Sequence, residues 1–186
     1  MADTVKSASI TSLDAAPQNT TTATTLTAGN GAAARMRNYS DFVAATTGGL
    51  ASTSSTYKML RLPTNAIIKK GNLFTKSGLD SSTGLAVDLG AYYSDSTLDG
   101  TPAALQGTLI SANCFVAAAA FGQSGAGSSI NAVSNLDANL LKSPLWAQVG
   151  LTSDPGGYID IVLAVHTVVS GSATAGNIGL NIEASD

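Results

Sequence analysis

Short apolar runs, separated by turn residues, follow one another from residue 57 to the end of the chain. Residues 85–90 and 177–183 alternate apolar with small or polar side chains, which is the period-two pattern of a strand with one buried face. Residues 158–169 are almost entirely β-branched or apolar, which favours a strand over a helix. The same reasoning predicts further strands over residues 35–43, 57–62, 66–74 and 108–110.

The connections between these runs are rich in Gly, Asp, Pro and Ser, and no stretch has the apolar period of a long amphipathic helix. About eight strands joined by such turns predict an all-β protein, an antiparallel β-sandwich or jelly roll. Residues 122–129 are predicted to be a flexible Gly/Ser loop, and Pro144 suits the first turn of a short helix with Leu145 and Trp146. The alanines at 117–120 fit either a helix or a strand.

The first 56 residues differ from the rest, because they are rich in Thr, Ala, Gly and Ser and contain few large apolar side chains. We therefore divide the chain into residues 1–56, a partly irregular N-terminal arm with the first strand, and residues 57–186, the sandwich domain. Residues 1–34 fit two descriptions, a disordered tail or an extended arm that becomes ordered against a neighbour. The sequence leaves both open.

Charged residues make up 11% of the chain and hydrophobic residues 44%, so most of the surface must consist of small neutral side chains. Such a surface has little electrostatic protection against association and suits a protein that functions inside an assembly. The net charge of -3, with no basic cluster beyond Lys69 and Lys70, argues against a nucleic-acid partner. No apolar run approaches the roughly 18 residues of a membrane span, and the start lacks the apolar segment of a secretory signal. We expect no membrane partner and synthesis in a cytoplasm.

His166 is the one histidine in the chain, so any Ser-His-Asp triad would depend on it. The segment around Ser124 lacks the second glycine of a nucleophile elbow, and no strand-to-helix turn is predicted there. Along the predicted strand, His166 shares a face with Asp160, while the alternate positions form a purer apolar face: Ile159, Ile161, Leu163, Val165 and Thr167. We expect that apolar face to point into the core and His166 to be a subunit contact. The sequence predicts no catalytic residue and no enzyme.

Two further patterns were weighed as ligand sites. Cys114 is the only cysteine, which excludes an internal disulfide and a multi-cysteine metal site and predicts a small buried hydrophobe. Asp95, Thr97 and Asp99 have the spacing of a calcium loop, but its twelfth position is Gln106, where a bidentate Glu is needed. We therefore interpret these aspartates as turn formers and predict no metal and no cofactor.

Several segments together resemble a family of virion structural proteins of tailed bacteriophages. The segments are KMLRLPTNAIIKKG (58–71), LAVDLGAYYS (85–94), LDG (98–100), SPLWAQVGLTSDPGGYIDIVLAVHT (143–167) and IGLNIEA (178–184). The resemblance covers about residues 57–184 and leaves the N-terminal third unmatched. It implies a jelly-roll or sandwich protein of the capsid exterior, of the decoration or cement type, that bridges subunits of the major capsid protein. It also implies a homo-oligomer, and we favour a trimer over a dimer.

Two other functions stay open at this point. A tail or head-fibre component that binds a host surface polysaccharide would need Tyr92, Tyr93 or Trp146 to lie exposed in a groove. A small β-rich enzyme would need His166 to lie exposed beside an acid.

Overall fold

The computed structural model describes residues 4–6 and 36–185. Within these residues the chain forms nine strands and three very short helices. The strands are β1 (Thr4–Lys6), β2 (Met36–Ala45), β3 (Thr56–Pro63), β4 (Ile67–Ser77), β5 (Ala86–Tyr93), β6 (Leu109–Ala120), β7 (Ala126–Asn131), β8 (Tyr158–Thr167) and β9 (Gly176–Ser185). The helices are α1 (Thr47–Leu50), a 3₁₀ helix (Leu140–Lys142) and α2 (Leu145–Gln148). None of these helices is long and apolar enough to cross a membrane.

The strands form two sheets, with the order β1-β3-β8-β5-β6 in the first sheet and β2-β9-β4-β7 in the second. All neighbours are antiparallel except β1, which pairs with β3 in parallel. From β2 onward the pairing is nested: β2 lies beside β9, β3 beside β8, β4 beside β7 and β5 beside β6. This is the arrangement of an eight-stranded jelly roll, so the predicted all-β, antiparallel fold is confirmed.

The core lies between the two sheets, and β8 shows how alternation directs side chains into it. The side chains of Ile159, Ile161, Leu163 and Val165 are buried in the core, as predicted from strand parity. Thr167, predicted on the same face, is exposed because it lies at the end of the strand. From the second sheet, Ile178, Leu180 and Ile182 of β9 enter the same core. The opposite face of β8 is therefore free to carry polar side chains.

The strand at Ala126–Asn131 contradicts the predicted loop over residues 122–129. Gly/Ser-rich sequence has low strand propensity, but here five of the six residues pair with β4, from Asn72↔Asn131 to Ser77↔Ala126. A Cβ at Gly127 would lie 2.5 Å from the carbonyl oxygen of Lys76, so a small residue allows this close pairing. Tertiary pairing has overridden local preference.

The other ambiguous segments are resolved in a similar way. The alanines at 117–120 belong to strand β6, because Leu89 and Val87 of β5 pair with Val116 and Ala119. Pro144 stands directly before α2 with a φ of -64°, as expected of a proline at a helix start.

The N-terminal region is described in two pieces. Thr4–Lys6 forms β1 against the chain's own β3, and the predicted first strand over 35–43 appears as β2, an edge strand of the second sheet. The rest of the expected arm, residues 7–35, lies outside the described residues.

The connections gather at the two ends of the sandwich. At one end, Leu79 donates its N–H to the carbonyl of Gly122, and Val169 donates to Leu50, so four connections that join the two sheets meet there. At the other end, Thr64 of the β3–β4 turn donates to the carbonyl of Gly157.

One buried carboxylate holds the first of these ends together. Asp80 accepts hydrogen bonds of 2.9 to 3.1 Å from the N–H groups of Ser82, Gly84, Leu85, Ser170 and Gly171. Burial by itself would raise the pKa of Asp80, but these donors favour the charged form and lower the pKa to about 2. The carboxylate thereby links the β4–β5 connection to the β8–β9 connection.

We expect Asp80→Asn to lower the free energy of unfolding by about 3 kcal/mol at neutral pH, because an amide cannot accept from all five donors. The ionised carboxylate stabilises the fold above its unfolded-state pKa of 3.8, and this contribution is lost as the pH falls through its folded value of about 2. The difference between the variant and the unaltered protein should therefore shrink over that interval. Urea titrations across the acid range measure it.

Asp154→Asn is the matched control, since among the described residues the exposed Asp154 side chain accepts only from the N–H of Gly156. It should cost no more than about 0.5 kcal/mol. Equal losses in the two variants would contradict the role given to Asp80.

Candidate interaction surfaces

His166 lies on the outer face of the first sheet, paired with an acid. Its side chain is 46% exposed, and its Nδ1 lies 2.8 Å from Oδ2 of Asp88 on the neighbouring strand β5. The second oxygen of Asp88 accepts a 2.7 Å hydrogen bond from the N–H of Ala118, whose φ of 46° belongs to an irregular part of β6. The predicted orientation of His166 is confirmed, and its acidic neighbour is a finding that strand parity did not reveal.

The pair meets the requirement that we set for an enzyme, an exposed His166 beside an acid, but a catalytic triad requires more. Asp88 fixes the ring and leaves Nε2 directed away from the acid, as in a catalytic triad. A triad also needs a hydroxyl on Nε2, and among the residues that the structure describes Asp88 is the only hydrogen-bond partner of His166. Ser124, the weak nucleophile candidate, lies in the β6–β7 turn and donates its N–H to the carbonyl of Ser82. The geometry thus orients the imidazole ring through Asp88, but no nucleophilic side chain of the described residues is hydrogen-bonded to it.

The outer face of the same sheet also carries a cluster of five charged side chains. Arg61 binds Asp160 through two contacts, Nε to Oδ1 at 2.6 Å and Nη2 to Oδ2 at 3.0 Å. Its Nη2 also lies 2.9 Å from Oδ1 of Asp95. Lys58 and Lys6 reach Oδ2 of Asp95 at 2.7 and 2.8 Å. Asp95 thus joins strands β1 and β3 to the β5–β6 connection.

The two carboxylates of this cluster differ in their surroundings. Complete burial raises the pKa of Asp160, although the Arg61 guanidinium and the Lys58 ammonium oppose that change. Burial acts on Asp95 as well, but the ammonium groups of Lys58 and Lys6 outweigh it and hold its pKa well below the usual range.

This cluster occupies the position that sequence spacing marked as a weak calcium-loop candidate. The Asp95 carboxylate is taken by three cationic side chains, so it is not available to a metal ion. Asp99 accepts from the N–H of Thr101, and Gln106 donates to the carbonyl of Thr101, as residues of a turn do. Within the described ranges, no three His, Cys, Asp or Glu side chains form a group that would hold a metal ion.

Cys114 is part of the packed structure and not of a reactive site. Burial raises the pKa of its thiol to about 12, so the thiolate is not formed near neutral pH.

The polysaccharide-binding alternative would need Tyr92, Tyr93 or Trp146 to lie exposed in a groove. Tyr92, Tyr93 and Trp146 are all partly buried. The structure has an open cleft of about 540 Å³ elsewhere, between β4, β7 and residues 133–141, and none of the three aromatic residues lines it.

The outer side of the second sheet is exposed and carries few charges. We call it the Phe42–Phe74 face, formed by the outward side chains of β2, β9, β4 and β7. Phe42 and Phe74 flank Gly179 in one cross-strand row, and both rings are exposed, by 56% and 39%. A Cβ on Gly179 would lie 2.5 Å from the Phe74 ring, so the glycine leaves space for the ring to lie across the sheet.

Neutral polar side chains continue this face beyond the two rings. The next cross-strand row contains Ser40, Asn181, Asn72 and Asn131. The row after it brings Lys70 within 3.6 Å of Glu183, two exposed and opposite charges. Met36, 53% exposed, lies at the far end of β2 on the same side. The sequence pattern predicted β9 but did not reveal this surface. The surface forms only when β2 and β4 pair with β9, and that pairing is not encoded in a local pattern.

We expect Arg61→Ala to lower the free energy of unfolding by about 3 to 5 kcal/mol, because it leaves the Asp160 carboxylate buried without its main partner. Lys70→Ala is the control, since its exposed pair with Glu183 should be worth less than about 1 kcal/mol. Denaturant titrations of both variants measure the two losses. Similar losses would mean that the buried pair does not stabilise the fold more than the surface pair.

Comparison with known proteins found no matching family model and no matching curated protein. Among solved structures, the chain is similar to one described as "Cyanophage Pam1 capsid asymmetric unit", with 17% sequence identity. The alignment covers 90% of this chain and 96% of that chain, with a TM-score of 0.54. At this identity the likeness shows a shared fold, here over almost the whole length of both chains.

Proposed function

We propose that the protein is a structural component of a tailed-phage virion, bound to the capsid exterior. In this role it decorates the shell and stabilises it by bridging subunits of the major capsid protein. The observation that carries the proposal is the jelly-roll likeness, over 90% of the chain, to a chain of a cyanophage capsid unit. It agrees with the resemblance that the sequence segments between residues 57 and 184 bear to virion structural proteins.

The surface supports this role through its chemistry. The Phe42–Phe74 face combines two exposed rings with neutral amide and hydroxyl side chains, which suits close packing against another protein surface. A homo-oligomer of such chains would contact several shell subunits at once, and the combined contacts would hold the shell even where each is weak.

A non-enzymatic role is part of the proposal. No hydroxyl group of the described residues is hydrogen-bonded to the His166 ring, so we interpret the His166–Asp88 pair as a polar contact between β8 and β5. Asp88 then satisfies the N–H of Ala118 at the irregular part of β6 as well as the imidazole.

Particles prepared with and without the protein test the proposal. We expect particles that lack it to lose shell integrity at lower temperature or lower salt, and the purified chain to restore stability when added back. Electron microscopy of intact shells after heating provides the measurement. Unchanged shell stability together with lost host adsorption would reject this function and favour the polysaccharide-binding fibre component.

The expected N-terminal arm has its own test. Deleting residues 1–34 should leave a folded domain but weaken attachment to capsids, measured by co-sedimentation with shells that lack the protein. Lys6→Ala is the control, because it removes the ion pair of β1 with Asp95 and keeps the rest of the arm. Unchanged affinity of the truncated chain would show that the arm does not contribute to attachment.

A further inference from the structure

Four strands form the outer edges of the two sheets in the described part of the chain: β1, β6, β2 and β7. An edge strand presents unpaired N–H and C=O groups, and proteins usually protect it with charges, a proline, a bulge or a short length. β1 has three residues and carries Lys6, while β2 carries Arg37 and Asp41. β6 shifts register against β5 at three places. β7 has none of these protections, because its sequence AGSSIN is uncharged, lacks proline and pairs with β4 without a register shift.

The backbone of β7 directs the main-chain groups of two residues away from β4. The N–H of Ala132 donates to the carbonyl of Gly71 at 3.0 Å, which fixes the phase of the ladder. In an antiparallel pair, residues that bond to the partner strand alternate with residues whose N–H and C=O point outward. Counted from Ala132, Ile130 bonds to β4, whereas Ser129 and Asn131 point outward. Both are exposed, and no further described strand lies on that side of β7.

The open cleft of about 540 Å³ between β4, β7 and residues 133–141 adjoins this edge. Ser129 and Asn131 both line it, so a strand that pairs with them runs along the cleft. Val133 and Leu136 also line it, and their aliphatic side chains provide contacts for an apolar side chain of such a strand.

The charge of the cleft indicates the chemistry of the added strand. The described residues that line the cleft include Lys69 and Lys70 but no aspartate or glutamate. The Nζ of Lys69 donates to the carbonyl of Leu141 at 3.1 Å, and within the described ranges its ammonium has no carboxylate partner. Lys70 lies 3.6 Å from Glu183, but both side chains are exposed, so this pair contributes little. The cleft therefore attracts a segment that carries a carboxylate side chain.

We propose that β7 and the cleft bind an extended segment of a shell subunit, which adds a fifth strand to the second sheet and places a carboxylate beside Lys69 and Lys70. Main-chain hydrogen bonds to Ser129 and Asn131 supply affinity, and the two lysines select an acidic segment. The inference rests on the proposed function for the identity of the partner and assigns the site and mode of attachment. In this contact the protein receives a strand, whereas the expected N-terminal arm would supply one.

A proline at position 129 tests the added strand in the full-length chain. The Ser129 N–H points away from β4, so Ser129→Pro keeps the ladder but removes a donor that the added strand needs. Ser129→Ala is the matched control, because it also loses the 2.8 Å hydrogen bond from the Ser129 hydroxyl to Asn72 but keeps the N–H. In co-sedimentation with shells that lack the protein, we expect Ser129→Pro to bind about tenfold more weakly and Ser129→Ala to bind like the unaltered chain. Circular dichroism melting curves verify that both variants are folded.

Hydrogen exchange of the unaltered chain tests the same contact without a variant. The amides of Ser129 and Asn131 should exchange quickly in the free protein, measured by NMR, because no strand covers them. On shells, the segment 126–131 should exchange more slowly, measured by mass spectrometry. Slow exchange of both amides in the free chain, with fast exchange after deletion of residues 1–34, would show that the protein's own N-terminal region occupies the edge. That result would overturn the proposal.

Carbodiimide coupling, which joins an ammonium group to a carboxylate in contact with it, tests the charge of the added strand. On decorated shells we expect coupling of Lys69 or Lys70 to an aspartate or glutamate of a shell subunit, identified by mass spectrometry. Lys76, an exposed lysine of β4 outside the cleft, is the control and should not couple. Coupling at Lys76 alone would contradict the proposed position of the carboxylate.

The failure of this inference and the failure of the proposed function give different results. If the unaltered chain does not bind shells, the proposed function is wrong and the inference is wrong with it. If the unaltered chain binds, Ser129→Pro binds equally well and residues 126–131 exchange as fast as in the free protein, only the inference is overturned.

Discussion

The position of β9 between β2 and β4 is the constraint on which the rest of the fold depends. Its ten residues, Gly176–Ser185, pair with β2 on one side and β4 on the other and bring Ile178, Leu180 and Ile182 into the core. Without β9 the second sheet would lose the connection between β2 and β4, and the core would open to water. The last described strand therefore closes the structure, and a sheet of such distant partners is expected to form late in folding.

Several charged residues of this chain hold the sandwich together from outside its core. Asp80 joins the connections at one end, and the cluster around Arg61 and Asp160 joins β3, β8 and the β5–β6 connection. Each carboxylate is surrounded by donors, so burial does not leave it without compensation. Because these groups are enclosed, the exposed surface is less charged than the composition suggests. A neutral, partly apolar face is the consequence, and it suits a protein that works by packing against other subunits.

The His166–Asp88 pair shows which properties of a site can be predicted from one unusual residue and which cannot. His166 was the first candidate for a catalytic residue because it is the one histidine in the sequence. Strand parity correctly predicted that its side chain lies outside the core. Its partner came from β5, a separate strand, through a register that no local pattern encodes. The same registers decide that no hydroxyl among the described residues joins the pair.

Alternation and turn residues by themselves determined the all-β class, most strands and the inward face of β8, because these depend on neighbours within a few residues. They did not determine β7, whose Gly/Ser-rich residues become a strand only because β4 offers a free edge. Nor did they reveal the cluster around Asp95, which loop spacing had suggested as a weak metal site. The Phe42–Phe74 face likewise arises from four strands that are distant in sequence, with Gly179 placed by register under the Phe74 ring. Only the tertiary structure decides such features. Each depends on a partner residue that is far away in sequence, and local conformational preferences contain no information about that partner.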